Sequence, residues 1–150
     1  MQKRMIAAKT LAVLGTVLTW LPLLAPVVFG FFHLAGAGWF SFDYLMPAEF
    51  FPVALAGCLM LAGAALLARC YRRLILISLG VALAALGGGM LLAQVSGLAS
   101  GEIEPQGIWW ALVVGLLILY ILALVAEGVG GILLLRRLFG SRQTIQAAAA

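Results

Sequence analysis

Residues 51–95 read FPVALAGCLMLAGAALLARCYRRLILISLGVALAALGGGMLLAQV, two apolar runs, 51–68 and 74–95, parted only by Arg69, Cys70, Tyr71, Arg72 and Arg73. Each run is close to the ~20 residues that carry an α-helix across a hydrocarbon core about 30 Å thick. Lipid offers no water to backbone polar groups, so such runs must be helical, and nothing here alternates as barrel strands do. A link this short makes the two helices antiparallel neighbours.

The same pattern extends outward in both directions, with further apolar runs at about 10–32 and 108–135. The expected fold is all-α: a polytopic four-transmembrane-helix up-down bundle, forming one domain over 1–146. All nine Lys and Arg residues cluster at alternate ends of these runs: Lys3, Arg4 and Lys9, then Arg69, Arg72 and Arg73, then Arg136, Arg137 and Arg142. The other two connections hold Asp43, Glu49, Glu102 and Glu104. Positive residues resist translocation, so both termini are expected in the cytoplasm.

A chain of 150 residues that is 65% hydrophobic and 9% charged lies outside the range of soluble globular proteins. The net charge of +4 has no basic stripe with interleaved aromatics behind it, so it argues for orientation in a membrane and not for nucleic acid. Arg69, Arg72, Arg73, Arg136 and Arg137 are placed to meet anionic lipid head groups. The composition suits a bacterial inner membrane. Met1–Arg4 followed by apolar residues resembles a signal peptide, but the run from Thr10 to Phe32 is too long for a signal core and reads as a span. The alanines at 147–150 follow no structural pattern and read as a scar or unassigned chain.

Pro22 and Pro26 fall late in the first span, where each removes a backbone hydrogen bond and should bend the helix. Beyond them Trp39, Phe40, Phe42, Tyr44, Phe50 and Phe51 crowd the first outer connection. Aromatic rings favour the head-group layer, so this loop is expected to lie in the interface, with Trp109 and Trp110 as the matching anchor on the fourth span. That span is longer than a membrane needs, which calls for tilt or an extension.

Glu127 is the ionisable side chain within a span. A central charged residue costs about 2.5 to 3.5 kcal/mol on insertion scales, so a membrane carboxyl usually faces protein or water. Measured from the basic boundaries, Thr16, Thr19 and Ser78 fall in the same layer and are expected as its hydrogen-bond partners. Small residues line the third span, Gly80, Ala84 and Gly88 with Ala85, Gly89 and Ala93 beside them, and this face is expected to pack closely, the Gly87-Gly88-Gly89 triplet against Gly128 or Gly131.

Cys58 and Cys70 are about 18 Å apart along one helix and cannot bridge each other. Cys58 reads as a packing residue, and Cys70, at the membrane boundary, as a thiol open to acylation. His33, beside the aromatic loop, could ligate a haem or pigment, but a lone histidine makes no metal site and no cofactor is expected. The outer carboxylate pairs lack the spacing of a calcium loop, and no nucleotide, hydrolase or metalloprotease motif is present.

The expectation is therefore a non-enzymatic accessory or assembly subunit of a membrane complex, whose partners are lipid and other membrane subunits or copies of itself. Two alternatives compete: a small oligomeric transporter or channel using Glu127 as a protonatable carboxyl, and a pigment-, haem- or quinone-binding subunit near His33.

Overall fold

The computed structural model describes residues 2–37, 50–101 and 106–147. They form four helices: α1 (Gln2–Ala37), α2 (Phe51–Ala68), α3 (Arg72–Val95) and α4 (Gly107–Ala147). All four are long and apolar enough to cross a membrane, and no strand occurs among the described residues. α2 has the bounds expected from its sequence, with Pro52 in its first turn, where a missing N–H breaks no helix bond. α1 and α4 run past the apolar stretches that announced them, because flanking Lys, Arg and polar residues end a membrane span without ending a helix. At 1.5 Å per residue α1 is about 54 Å long and α4 about 62 Å, each longer than a hydrocarbon core. α1 continues through both prolines, and Pro22 is fully buried. Residue 147 of the alanine tail belongs to α4, and 148–150 lie outside the described residues.

Close contacts fix the direction of each helix. Thr19 lies against Gly57 and Leu11 near Gly63, so α1 and α2 are antiparallel. Trp20 covers Gly128, Thr16 covers Gly131, and the Lys9 ammonium sits 4.7 Å from the centre of the Phe139 ring, so α1 and α4 are antiparallel too. On α3, Ile75 meets Gly130 while Gly89 lies near Leu116. This is an up-down bundle in which α1 packs most fully on α2 and α3 on α4. The short link brings α2 and α3 into contact, as expected, but over a smaller area than those two pairs. That link turns through left-handed backbone at Arg69 (φ 54°) and Tyr71 (φ 53°), a conformation costly for residues with a Cβ.

Two apolar clusters fill the interior. Ala12, Leu61, Ala64, Ala65, Ile75, Leu134 and Leu138 close the end that carries the basic residues. Ala54, Cys58, Ala82, Ala85, Leu86, Tyr120 and Leu124 fill the space between α2, α3 and α4 nearer the other end.

Glycine sets the spacing of α1 against α2. A methyl group on Gly15 would stand 2.9 Å from the Gly57 carbonyl oxygen, and one on Gly57 would stand 2.7 Å from the Thr19 backbone nitrogen. The α3 stripe makes no such close contact among the described residues. Gly80 and Ala84 are exposed, nothing lies within 4 Å of a methyl placed at Gly80 or Gly87, and Gly88 and Gly89 approach only Leu116. Gly128 and Gly131 instead receive α1. The reason is the rotation of α3: Ile75, Ser78, Ala82, Ala85 and Leu86 point into the bundle and leave the small-residue line on the opposite face. Gly57→Ala should therefore destabilise the bundle by about 1–3 kcal/mol, the usual cost of overpacking. Gly80→Ala should be neutral or stabilising, and equal losses at the two sites in detergent unfolding titrations would contradict this packing.

Candidate functional site: a buried polar cluster

α4 turns Tyr120, Ala123, Leu124, Glu127, Gly128, Gly131 and Leu134 toward its neighbours, the three-and-four spacing of one helix face. Glycines beside the acid let α1 approach: a methyl on Gly128 would lie 2.9 Å from Trp20 Nε1, and one on Gly131 would lie 2.6 Å from Thr16 Oγ1. α1 and α2 thereby cover Glu127, which has no exposed surface. Neither carboxyl oxygen has a hydrogen-bond partner. The Cys58 thiol of α2 stands beside the carboxyl without completing a hydrogen bond of good geometry, and Thr19 stands beside the same thiol.

Thr16, Thr19 and Ser78 are buried as well. Their hydroxyls do not serve Glu127 in the way the sequence suggested. Thr16 donates to the Ala12 carbonyl at 2.7 Å, Thr19 to Gly15 at 2.8 Å and Ser78 to Leu74 at 2.9 Å. In the right rotamer a helical hydroxyl reaches the carbonyl one turn back, and all three adopt that bond here. Trp20 Nε1 and Tyr120 Oη are also buried without partners. Each unpaired buried polar group costs about 1–3 kcal/mol. An ionised carboxylate at this site would cost several kcal/mol more, since among the described residues no cationic side chain is buried near it.

The cluster thus unites an acid, a thiol, a phenol and an indole from α1, α2 and α4. Sequence reading found the acid and the Thr hydroxyls but not the role of the other three. Tyr120 was within reach of pattern reading, because it precedes Glu127 by seven residues and so shares its face. Cys58 and Trp20 were not, because only the pairing of helices puts them there.

The remaining candidates scatter. Trp109 and Trp110 are exposed on the first turn of α4, Phe50 is half-buried ahead of α2, and Phe51 packs inward on the cluster between α2, α3 and α4. Trp39, Phe40, Phe42 and Tyr44 lie outside the described residues, as does the side chain of His33. Arg69, Arg72, Arg73, Arg136 and Arg137 are exposed at one end of the bundle. Among the described residues no three His, Cys, Asp or Glu side chains converge as a metal site would require. Both cysteines are free, Cys58 buried and Cys70 half-buried.

Hollows mark the surface of the described residues. A narrow cleft between α2, α3 and α4, about 10 Å³ in volume, reaches Cys58 and Tyr120. Wider apolar grooves run along α1 past Thr16 and Trp20 and between α3 and α4 past Ser78. Comparison with protein-family models, with curated proteins and with solved structures found no match.

Glu127→Gln, an uncharged substitution of nearly the same shape, should cost no more than about 1 kcal/mol of unfolding free energy. Glu127→Lys should cost about 2.5–3.5 kcal/mol or prevent assembly, as a cation in this layer has no acceptor to pair with. Equal tolerance of the two in purified protein would show that the residue does not lie in a dry interior.

Proposed function

We propose that the protein is a non-enzymatic integral membrane subunit of the bacterial inner membrane that assembles with other transmembrane helices. One observation carries this reading. Ile77, Gly80, Ala84, Gly87 and Leu91 follow a three-four spacing along the outward face of α3, and all five are exposed. Glycine in a helix interior costs about 0.5–1 kcal/mol relative to alanine. At Gly15, Gly57, Gly128 and Gly131 that cost is offset by close helix contact within the chain, but at Gly80 and Gly87 nothing among the described residues offsets it. A neighbouring transmembrane helix would do so, because small residues let backbones approach and van der Waals contact then holds helices together in lipid. The seam carries no charge, so its partner is apolar along its own contact face.

In this reading both termini and the α2–α3 turn face the cytoplasm, where Arg69, Arg72, Arg73, Arg136 and Arg137 meet anionic head groups. The aromatic residues of the opposite end then sit at the outer interface. A transporter reading draws less support. The cleft beside Cys58 and Tyr120 has only about 10 Å³ of room, and Glu127 does not line it, so it offers no conduit to the acid.

Ala84→Leu should shift the protein toward a smaller species in native mass measurements while leaving its helical content and unfolding midpoint intact. An unchanged assembly, or recovery of the wild type only as a lone monomer from native membranes, would count against the reading. For orientation, a membrane-impermeant maleimide should label Cys70 in inverted vesicles and spare it in right-side-out ones; the reverse pattern would invert the topology.

A further inference from the structure

Chain order divides the bundle into two pairs. α1 packs most fully on α2 and α3 on α4, and residues 38–50 and 96–106 join helices within a pair. The one chain link between the pairs is the turn at 69–71, where Arg69 and Tyr71 hold left-handed backbone. Beside that turn the pairs are well held. Ala12, Leu61, Ala65, Ile75, Leu134 and Leu138 draw all four helices into one apolar cluster, and the Lys9 ammonium of α1 rests on the Phe139 ring of α4. Farther from the turn the match between the pairs is poor. Among the described residues the buried side-chain nitrogen and oxygen atoms that lack a hydrogen-bond partner are Trp20 Nε1, Tyr120 Oη and both oxygens of Glu127. All lie where one pair meets the other: Trp20 of α1 covers Gly128 of α4, Glu127 of α4 stands beside Cys58 of α2, and Tyr120 of α4 packs in one cluster with Ala54 and Cys58. The narrow apolar cleft between α2 and the α3–α4 pair falls on the same boundary. Within the first pair, by contrast, backbone meets backbone at Gly15 and Gly57.

We propose that the α1–α2 and α3–α4 pairs part at the end remote from the α2–α3 turn, pivoting on residues 69–71, and that the parted form admits water to Glu127, Tyr120 and Trp20. The closed form is the one with Trp20 over Gly128 and Thr16 over Gly131. A buried polar group without a partner is costly, and hydration on parting relieves that cost. Hinge motion concentrates its dihedral change in a few residues at the ends of elements, which is where Arg69 closes α2 and Tyr71 opens α3. The unpaired groups lie farther from the pivot than the apolar cluster, so a small rotation uncovers them, and Cys58 with them, while that cluster stays packed.

The test is alkylation of the full chain in lipid vesicles with N-ethylmaleimide, read site by site by mass spectrometry. Cys58 is buried on the boundary between the pairs, and Ala65, buried on the same face of α2 two turns nearer the pivot, supplies the control as Ala65→Cys. Cys58 should be labelled at least about tenfold faster than the thiol of Ala65→Cys in the same molecule, because local parting reaches the first and only global unfolding the second. If that variant perturbs the bundle, Ala12→Cys in the same cluster takes its place. Tyr120→Phe removes an unpaired hydroxyl from the closed form and should slow the labelling of Cys58 by about fivefold or more. Three results would overturn the proposal: Cys58 labelled no faster than the control, Cys58 left unlabelled until the helices denature, or a labelling rate that Tyr120→Phe leaves unchanged.

Discussion

The approach of α1 to α2 at Gly15 and Gly57 is the contact on which the rest of the bundle depends. With less than 3 Å between an added methyl group and the facing backbone at both positions, neither residue could carry a side chain without pushing the helices apart. The same face of α1 presents Thr16 and Trp20 to Gly131 and Gly128 of α4, so one tightly seated helix brings together α2 with its thiol and α4 with its acid. In lipid no hydrophobic drive favours one helix pair over another, and close backbone contact takes over that role.

Glycine has two uses in this chain, and they lie on different surfaces. Gly15, Gly57, Gly128 and Gly131 bring the chain's own helices together, whereas Gly80 and Gly87 of α3 face away from it, as Gly115 and Gly140 of α4 do. The ends of the bundle differ as well. One holds the apolar cluster of Leu61, Ile75, Leu134 and Leu138 beneath the exposed arginines, and nearer the other a narrow apolar cleft lies between α2, α3 and α4 beside Ala54 and Tyr120. A protein with such unlike ends needs a defined orientation, which is what the segregation of its basic residues would supply.

The architecture was largely legible in the amino-acid sequence, for a physical reason. A membrane span needs a fixed length of apolar chain, and Pro52 and Arg69 punctuate α2 on either side. The true ends of α1 and α4 were not legible, because charged residues stop a span and not a helix. Glu127 stood out as an acid in an apolar run, and its burial follows from the cost of exposing it to lipid. The sense of the α3 stripe was hidden. Ile75 and Leu86 on one face match Ile77 and Leu91 on the other in hydropathy, and a membrane removes the polar face that would reveal rotation in a soluble helix. The loss of the Thr and Ser hydroxyls to their own helices was foreseeable from local geometry, while the meeting of Cys58 with Glu127 depends on tertiary pairing alone.

The central claim is that α1 seats against α4 at the level of the acid, and a disulfide between Thr16→Cys and Gly131→Cys in a chain with Cys58→Ala and Cys70→Ser tests it most directly. The Thr16 hydroxyl oxygen lies 2.6 Å from the position of a Cβ on Gly131, a few tenths of an ångström inside the roughly 3 Å from Cβ to the far sulfur of a disulfide, so mild oxidation in native membranes should cross-link the pair. Failure to cross-link in a protein that still inserts and unfolds cooperatively would contradict the account.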